Sequence, residues 1–142
     1  MKRWIFVLAV LLFTTPLQAR DTAHLFSIQE ALDSEAYVGR LNSDVKLYFG
    51  DTGHGKIDKN FGDFVTNKKT RSARNVQKKC EWALLSALLS LQGRAIKEGG
   101  SAVVNIRSFY KKNEFSSITQ YECHSGALIA GVALKGTVVH ID

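Results

Sequence analysis

The sequence predicts an α+β fold: one long helix packed on a small, mainly antiparallel sheet of about four strands, strapped by one disulfide. Three observations predict it. An apolar stretch repeats at helical spacing as far as Glu98 and stops at Gly99-Gly100. Three later segments, Ala102–Tyr110, Ile118–His124 and Leu128–Ile141, are rich in β-branched and aromatic residues and are joined by short turns. The only cysteines, Cys80 and Cys123, fall on the helix and on the middle one of those segments.

The elements follow in order. Residues 1–19 read as a secretory signal, with Lys2-Arg3 before the apolar run Trp4–Phe13 and Leu17-Gln18-Ala19 as the cleavage site. The run is too short to span a bilayer core of roughly 30 Å, and no cysteine follows it to carry a lipid. No span is expected after cleavage. Residues 20–44 are expected to form a loosely packed N-terminal segment, with a helical turn over Ser27–Leu32 capped by Ser27 and Glu30. A single α+β domain then covers residues 45–142. Val45–Phe49 alternates and reads as a strand, Gly50–Gly55 as a turn, Phe61–Thr66 as a short strand and Asn67–Arg71 as a basic loop.

Ser72 or Asn75 caps the long helix. Cys80, Ala83, Ala87, Leu88, Leu91 and Ala95 form one stripe along it, widened by Trp82, Leu85, Leu89 and Ile96. So broad an apolar face needs a second cover besides the sheet, from the N-terminal segment or from a second protomer. A homo-oligomer is therefore among the expected associations. Lys111–Glu114 and Ser125-Gly126 turn, so the three late strands form an antiparallel meander, the last bending near Gly131 or Gly136. Side chains alternate along a strand, so Tyr121 and Cys123 share a face. If that face meets the helix, Cys123 reaches Cys80. Two cysteines in an exported chain ordinarily pair. A reactive or metal-binding thiol pair would call for a Cys-x-x-Cys spacing that the chain lacks.

Composition narrows the function classes. With 45% apolar and 23% charged residues the chain suits a globular domain rather than a disordered one. The net charge of +6 is uneven: Lys68, Lys69, Arg71, Arg74, Lys78 and Lys79 crowd one stretch that holds no acid. This block is the candidate interaction surface, suited to an envelope protein or an anionic envelope component. Nucleic acid is not expected, because the chain carries an export signal and the block has no aromatic residue to stack on bases.

Catalytic motifs are thin. Gly50-Asp51-Thr52-Gly53-His54-Gly55-Lys56-Ile57 resembles a phosphate-binding loop, but Ile57 replaces the magnesium-binding hydroxyl and no periodic helix follows. His24, His54, His124 and His140 are scattered without ligand spacing. Asp51, His54 and His124 are the candidates for a metal or small ligand. No catalytic residue and no cofactor is expected.

Five stretches together carry a family likeness: Thr66–Thr70, Cys80–Gln92, Gly99–Ile106, Tyr121-Glu122-Cys123 and Gly131–Gly136. Over roughly residues 45 to 140 the chain resembles small exported bacterial proteins labelled "excinuclease ATPase subunit". The ATPase in that label does not carry over, since the phosphate loop is incomplete and the chain is short. More distantly, the order of helix, Gly-Gly-Ser-Ala-Val-Val strand, cysteine strand and Gly-Val-Ala-Leu strand is similar to the periplasmic domain of the Rcs envelope-stress sensor lipoprotein. That resemblance implies one helix on a small antiparallel sheet and a disulfide joining the two, matching Cys80 and Cys123. The sensor also has a lipid anchor and a second disulfide, for which this chain has no cysteines. The expectation is a non-enzymatic periplasmic domain that binds another envelope component, in envelope stress response. The alternative is a periplasmic small-ligand or metal binder.

Overall fold

The computed structural model describes residues 20–71 and 75–142. The expected signal (1–19), Ser72 and Arg74 lie outside the described residues. The chain runs β1 (Thr22–Ser27), α1 (Ile28–Leu32), a 3-10 turn (Glu35–Tyr37), β2 (Lys46–Phe49), β3 (Ile57–Thr70), α2 (Val76–Glu98), β4 (Ala102–Tyr110), β5 (Asn113–Phe115), β6 (Gln120–Ser125) and β7 (Ala130–Ile141). The architecture is α+β, with α2 lying on a mixed sheet, chiefly over β7 and β3, and the Cys80–Cys123 disulfide joining helix to sheet.

The sheet departs from the expected four mainly antiparallel strands. It has seven strands and is mixed. β2 pairs in parallel with β4, Lys46 against Ala102, because the whole of β3 and α2 intervenes as a crossover. β3 is not a short strand with a basic loop after it. It is one strand of 14 residues along β7, and Asn67–Thr70 lie within it. The meander is also corrected. β7 enters between β6 and β4, giving the order β1-β6-β7-β4-β2.

Residues 20–44 are not loosely packed. β1 pairs antiparallel with β6 from Thr22↔Ser125 to Ser27↔Gln120. Ser27 caps α1 as expected, accepting from Glu30 N–H at 3.2 Å. Ile28, Ala31 and Tyr37 are buried against the core, and the Tyr37 hydroxyl donates to Glu81 O at 2.9 Å. This segment supplies the second cover over α2.

Asn75 caps α2, accepting from Lys78 N–H at 2.9 Å, and Gly99 ends it in the left-handed conformation, φ 85°. Cys80, Ala83, Leu84, Ala87, Leu88, Leu91 and Ala95 face Val103, Ile106, Cys123, Val132, Leu134 and Val138 in one core. The wider stripe holds only in part: Leu85 is buried, whereas Leu89 and Ile96 are 38% and 55% exposed. The irregularity expected in β7 sits opposite it, in β4, where Asn105 (φ 50°) and Ile106 oppose Gly136 alone. A Cβ on Gly136 would lie 2.6 Å from Val103 Cγ1, so only glycine fits beneath the bulge.

Candidate functional site: a basic cavity on the open face of the sheet

Alternation decides which strand residues face α2 and which face away. Val132 and Leu134 of β7 enter the core, so Gly131, Ala133 and Lys135 face the other side. On that open face lies a cavity of about 420 Å³, bordered by Arg20, Asp21, Asn67, Lys69, Tyr110, Lys111, His124, Ser125, Gly126, Ile129 and Gly131. Arg71 borders a contiguous hollow with Lys69, Thr70 and Ile129. Gly131 leaves room here, since a Cβ would already touch the Lys69 chain at 3.4 Å.

The cavity's polar groups form one network. His124 Nδ1 lies 2.9 Å from Asp21 Oδ1, and its Nε2 is hydrogen-bonded to Glu122 Oε1. The Tyr110 ring stacks on His124 with centroids 3.5 Å apart. The Tyr110 hydroxyl donates to Asp21 Oδ2 at 2.8 Å, and Lys111 Nζ donates to the same oxygen at 3.1 Å. The hydrogen bonds from Tyr110, His124 and Lys111 hold the Asp21 carboxyl at a pKa of about 2, against the opposing effect of desolvation. The Tyr110 hydroxyl is pushed up by desolvation and by the Asp21 carboxylate that accepts from it. Lys111 reaches Asp21 from a two-residue turn in which Lys111 and Lys112 both adopt positive φ, 50° and 64°.

Charge on the open face is separated. At one end Arg107 lies 3.4 Å from Asp63 and 3.3 Å from Glu114, and Lys135 lies 3.6 Å from Glu114. Cations and anions balance there. At the cavity end Lys69 and Arg71 have no carboxylate partner among the described residues, and Arg20 adds a third cation. The positive potential therefore concentrates at the cavity.

The structure divides the expected basic surface. Lys69 faces the cavity and Arg71 borders the hollow beside it, while Lys68 alternates to the helix side of β3. Lys78 is tied to buried Glu81 at 3.1 Å, and Lys79 Nζ donates to Leu128 O at 3.2 Å. The expected metal candidates are not brought together. Asp51 and His54 sit on the β2–β3 loop, where His54 Nδ1 meets Gly55 O at 2.8 Å. His124 lies on β6 with both ring nitrogens engaged by carboxylates, so neither stands open toward a metal. Asp58, His140 and Asp142 do place ligand atoms within 4.8 Å of one another, but both carboxylates are exposed and Asp58 already bonds His140 at 2.7 Å. Sequence reasoning missed Asp21, Tyr110, Lys111 and Arg20 as neighbours of His124. Asp21 and His124 are 103 residues apart and meet only because β1 pairs with β6.

No described helix is long and apolar enough to cross a membrane. No protein-family model, curated protein or solved structure matches the chain.

Proposed function

We propose that the chain is an exported, non-enzymatic domain of the bacterial periplasm that binds an anionic envelope component on the open face of its sheet, in the service of envelope stress response. The cavity carries this reading: about 420 Å³ of space with Arg20, Lys69 and Lys111 at its border, on the sheet face that α2 leaves uncovered. Its acid, imidazole and phenol groups bond one another, which suits a fixed docking surface. The signal-like residues 1–19 and a disulfide of the kind that persists in oxidising compartments support the location. The resemblance to exported proteins and, more distantly, to an envelope-stress sensor supports the pathway.

Crosslinking in intact cells, followed by mass spectrometry, tests the proposal. Lys69→Glu with Arg71→Glu is expected to lose the crosslinked envelope component while the purified variant keeps its melting temperature. Lys68→Glu, on the other side of the same strand, is expected to retain it. Recovery of the same component by the double variant would overturn the assignment of this face.

A further inference from the structure

β3 is an edge strand. It pairs with β7 along one side, and its other side has no strand partner among the described residues. Natural sheets keep open edges short or interrupt them. The other outer strands obey this, since β1 has 6 residues and β2 has 4, but β3 has 14. Its register irregularities lie before Gly62, so from Gly62 to Lys69 the strand runs regularly against Val138 to Gly131. A row of backbone N–H and C=O groups is therefore presented to an incoming chain.

A groove of about 270 Å³ lies beside this edge, between Phe64 and Val65 of the strand and Leu91, Gly93, Arg94 and Lys97 of α2. Gly93 is the informative residue. It sits inside a helix of 23 residues, where glycine is less favourable than alanine. Its backbone is not left-handed, and a Cβ built on it meets nothing within 4 Å. Neither conformation nor internal packing calls for glycine here, and the consequence of having one is an open groove wall.

The charge of the groove selects the occupant. Lys97 and Lys68 have no carboxylate partner among the described residues. Arg94 is shared between Glu98 at 3.0 Å and the face of Phe64 at 4.2 Å. A second copy would bring these cations against their own kind, whereas an acidic chain would neutralise them. We propose that the free edge of β3 and the groove beside it bind an extended acidic peptide segment, which joins the sheet as an added strand. Backbone hydrogen bonds hold the segment. On the helix-facing side of the added strand an apolar side chain enters the groove between Phe64 and Leu91, and carboxylates two residues to either side of it, on the same face, meet Lys97 and Lys68. This site is on the helix side of β3 and is independent of the cavity on the open face.

The test uses the oxidised chain purified from the periplasm and a fluorescein-labelled peptide in which a central valine and glutamates two residues to either side share one face of the strand, with threonine at the intervening positions. Fluorescence anisotropy is expected to show saturable binding, and bound peptide is expected to slow amide exchange over residues 62–69. Gly93→Leu fills the groove and should raise helix propensity, so it is expected to keep the fold and weaken binding by about tenfold or more. Lys97→Glu should do likewise, while Lys69→Glu, which faces the other side, should leave affinity unchanged. The same peptide with lysine for glutamate, or with alternate backbone nitrogens methylated, should fail to bind. Absence of binding to the unaltered chain, equal binding of the methylated peptide, or unchanged affinity in Gly93→Leu would each overturn the proposal. So would a dimer in sedimentation that Gly93→Leu dissolves, which would make a second copy the occupant.

Discussion

Gln92 on α2 and Asn42 before β2 hold each other by two hydrogen bonds. Asn42 N–H donates to Oε1 at 2.9 Å, and Nε2 donates back to Asn42 O at 2.8 Å. Nε2 also donates to Val45 O at 2.9 Å, and the residue is 2% exposed. A side chain in the helix thus serves as the backbone partner for the chain entering β2. Gln92→Leu keeps the volume but strands the Asn42 N–H and takes the Gln92 donor from Val45 O, while Asn42 O keeps the Val45 N–H at 3.4 Å. It is expected to cost about 2–4 kcal/mol, since each polar group left unsatisfied in the interior costs about 1–3 kcal/mol. Urea unfolding of the purified domain checks this, and a loss below about 0.5 kcal/mol would show that water replaces the side chain freely.

What the sequence made legible was local. The bounds of α2 could be read because Asn75 and Gly99-Gly100 satisfy its end groups through their own chemistry. The disulfide could be read because period two puts Tyr121 and Cys123 on one face and period 3.6 puts Cys80 on the buried stripe. β1 was illegible for the opposite reason. Thr22–Ser27 alternates only weakly, and its partner, β6, lies about a hundred residues away. β3 was read short because its open face and its edge both meet water, so Lys59, Asn60, Asp63, Asn67 and Lys69 mask its alternation. The cavity assembles Asp21, Lys69, Tyr110 and His124 from four strand regions, and no spacing rule connects them. Leu89 and Ile96 fit the helical stripe, yet the N-terminal cover does not extend over them.

The bridge between Cys80 and Cys123 spans Cα atoms 5.9 Å apart, and both residues are fully buried. It closes a loop across α2, β4, β5 and most of β6. The chain-entropy model assigns such a loop about 4 kcal/mol, and removing a native bridge from a small exported domain usually costs about 2–5 kcal/mol. Cys80→Ser and Cys123→Ser are each expected to fall in that range, with the double variant no worse than the sum. Free thiols titrating in the unreduced protein would contradict the pairing.

Two buried tyrosines predict opposite signs. The Tyr37 hydroxyl donates to Glu81 O, whereas the Tyr121 hydroxyl finds no hydrogen-bond partner among the described residues. Burial pushes both phenols far above the ordinary tyrosine range, with the Glu81 charge adding to it. Tyr37→Phe is expected to destabilise by about 1 kcal/mol, the net worth of one hydrogen bond. Tyr121→Phe removes an unsatisfied group without changing the packing against Phe26, and is expected to stabilise by about 1 kcal/mol. Thermal melts of the two variants side by side decide it. A destabilised Tyr121→Phe would mean that the hydroxyl is satisfied in solution.

Asp21 supplies a pH signature for the open face. Its carboxyl faces Tyr110, His124 and Lys111, with Arg20 and Lys69 on the same cavity wall and Glu122 behind the imidazole. The folded pKa is about 2, below the value of about 3.9 for an aspartate in an unfolded chain. A depressed folded pKa means that the unfolded state takes up the proton first. The stabilisation is therefore whole above about pH 4 and disappears as the pH falls toward about 2. Unfolding free energies of the unaltered chain and of Asp21→Asn, measured in urea from pH 7 downward, are expected to differ by a constant amount until about pH 4.5. The two should converge below that, as acid removes from one chain the charge the other never had. If the gap stayed the same down to pH 2, the bonds from Tyr110 and Lys111 would not depend on the carboxylate charge, and the network could not be what holds β1 and β6 to the turn at Lys111.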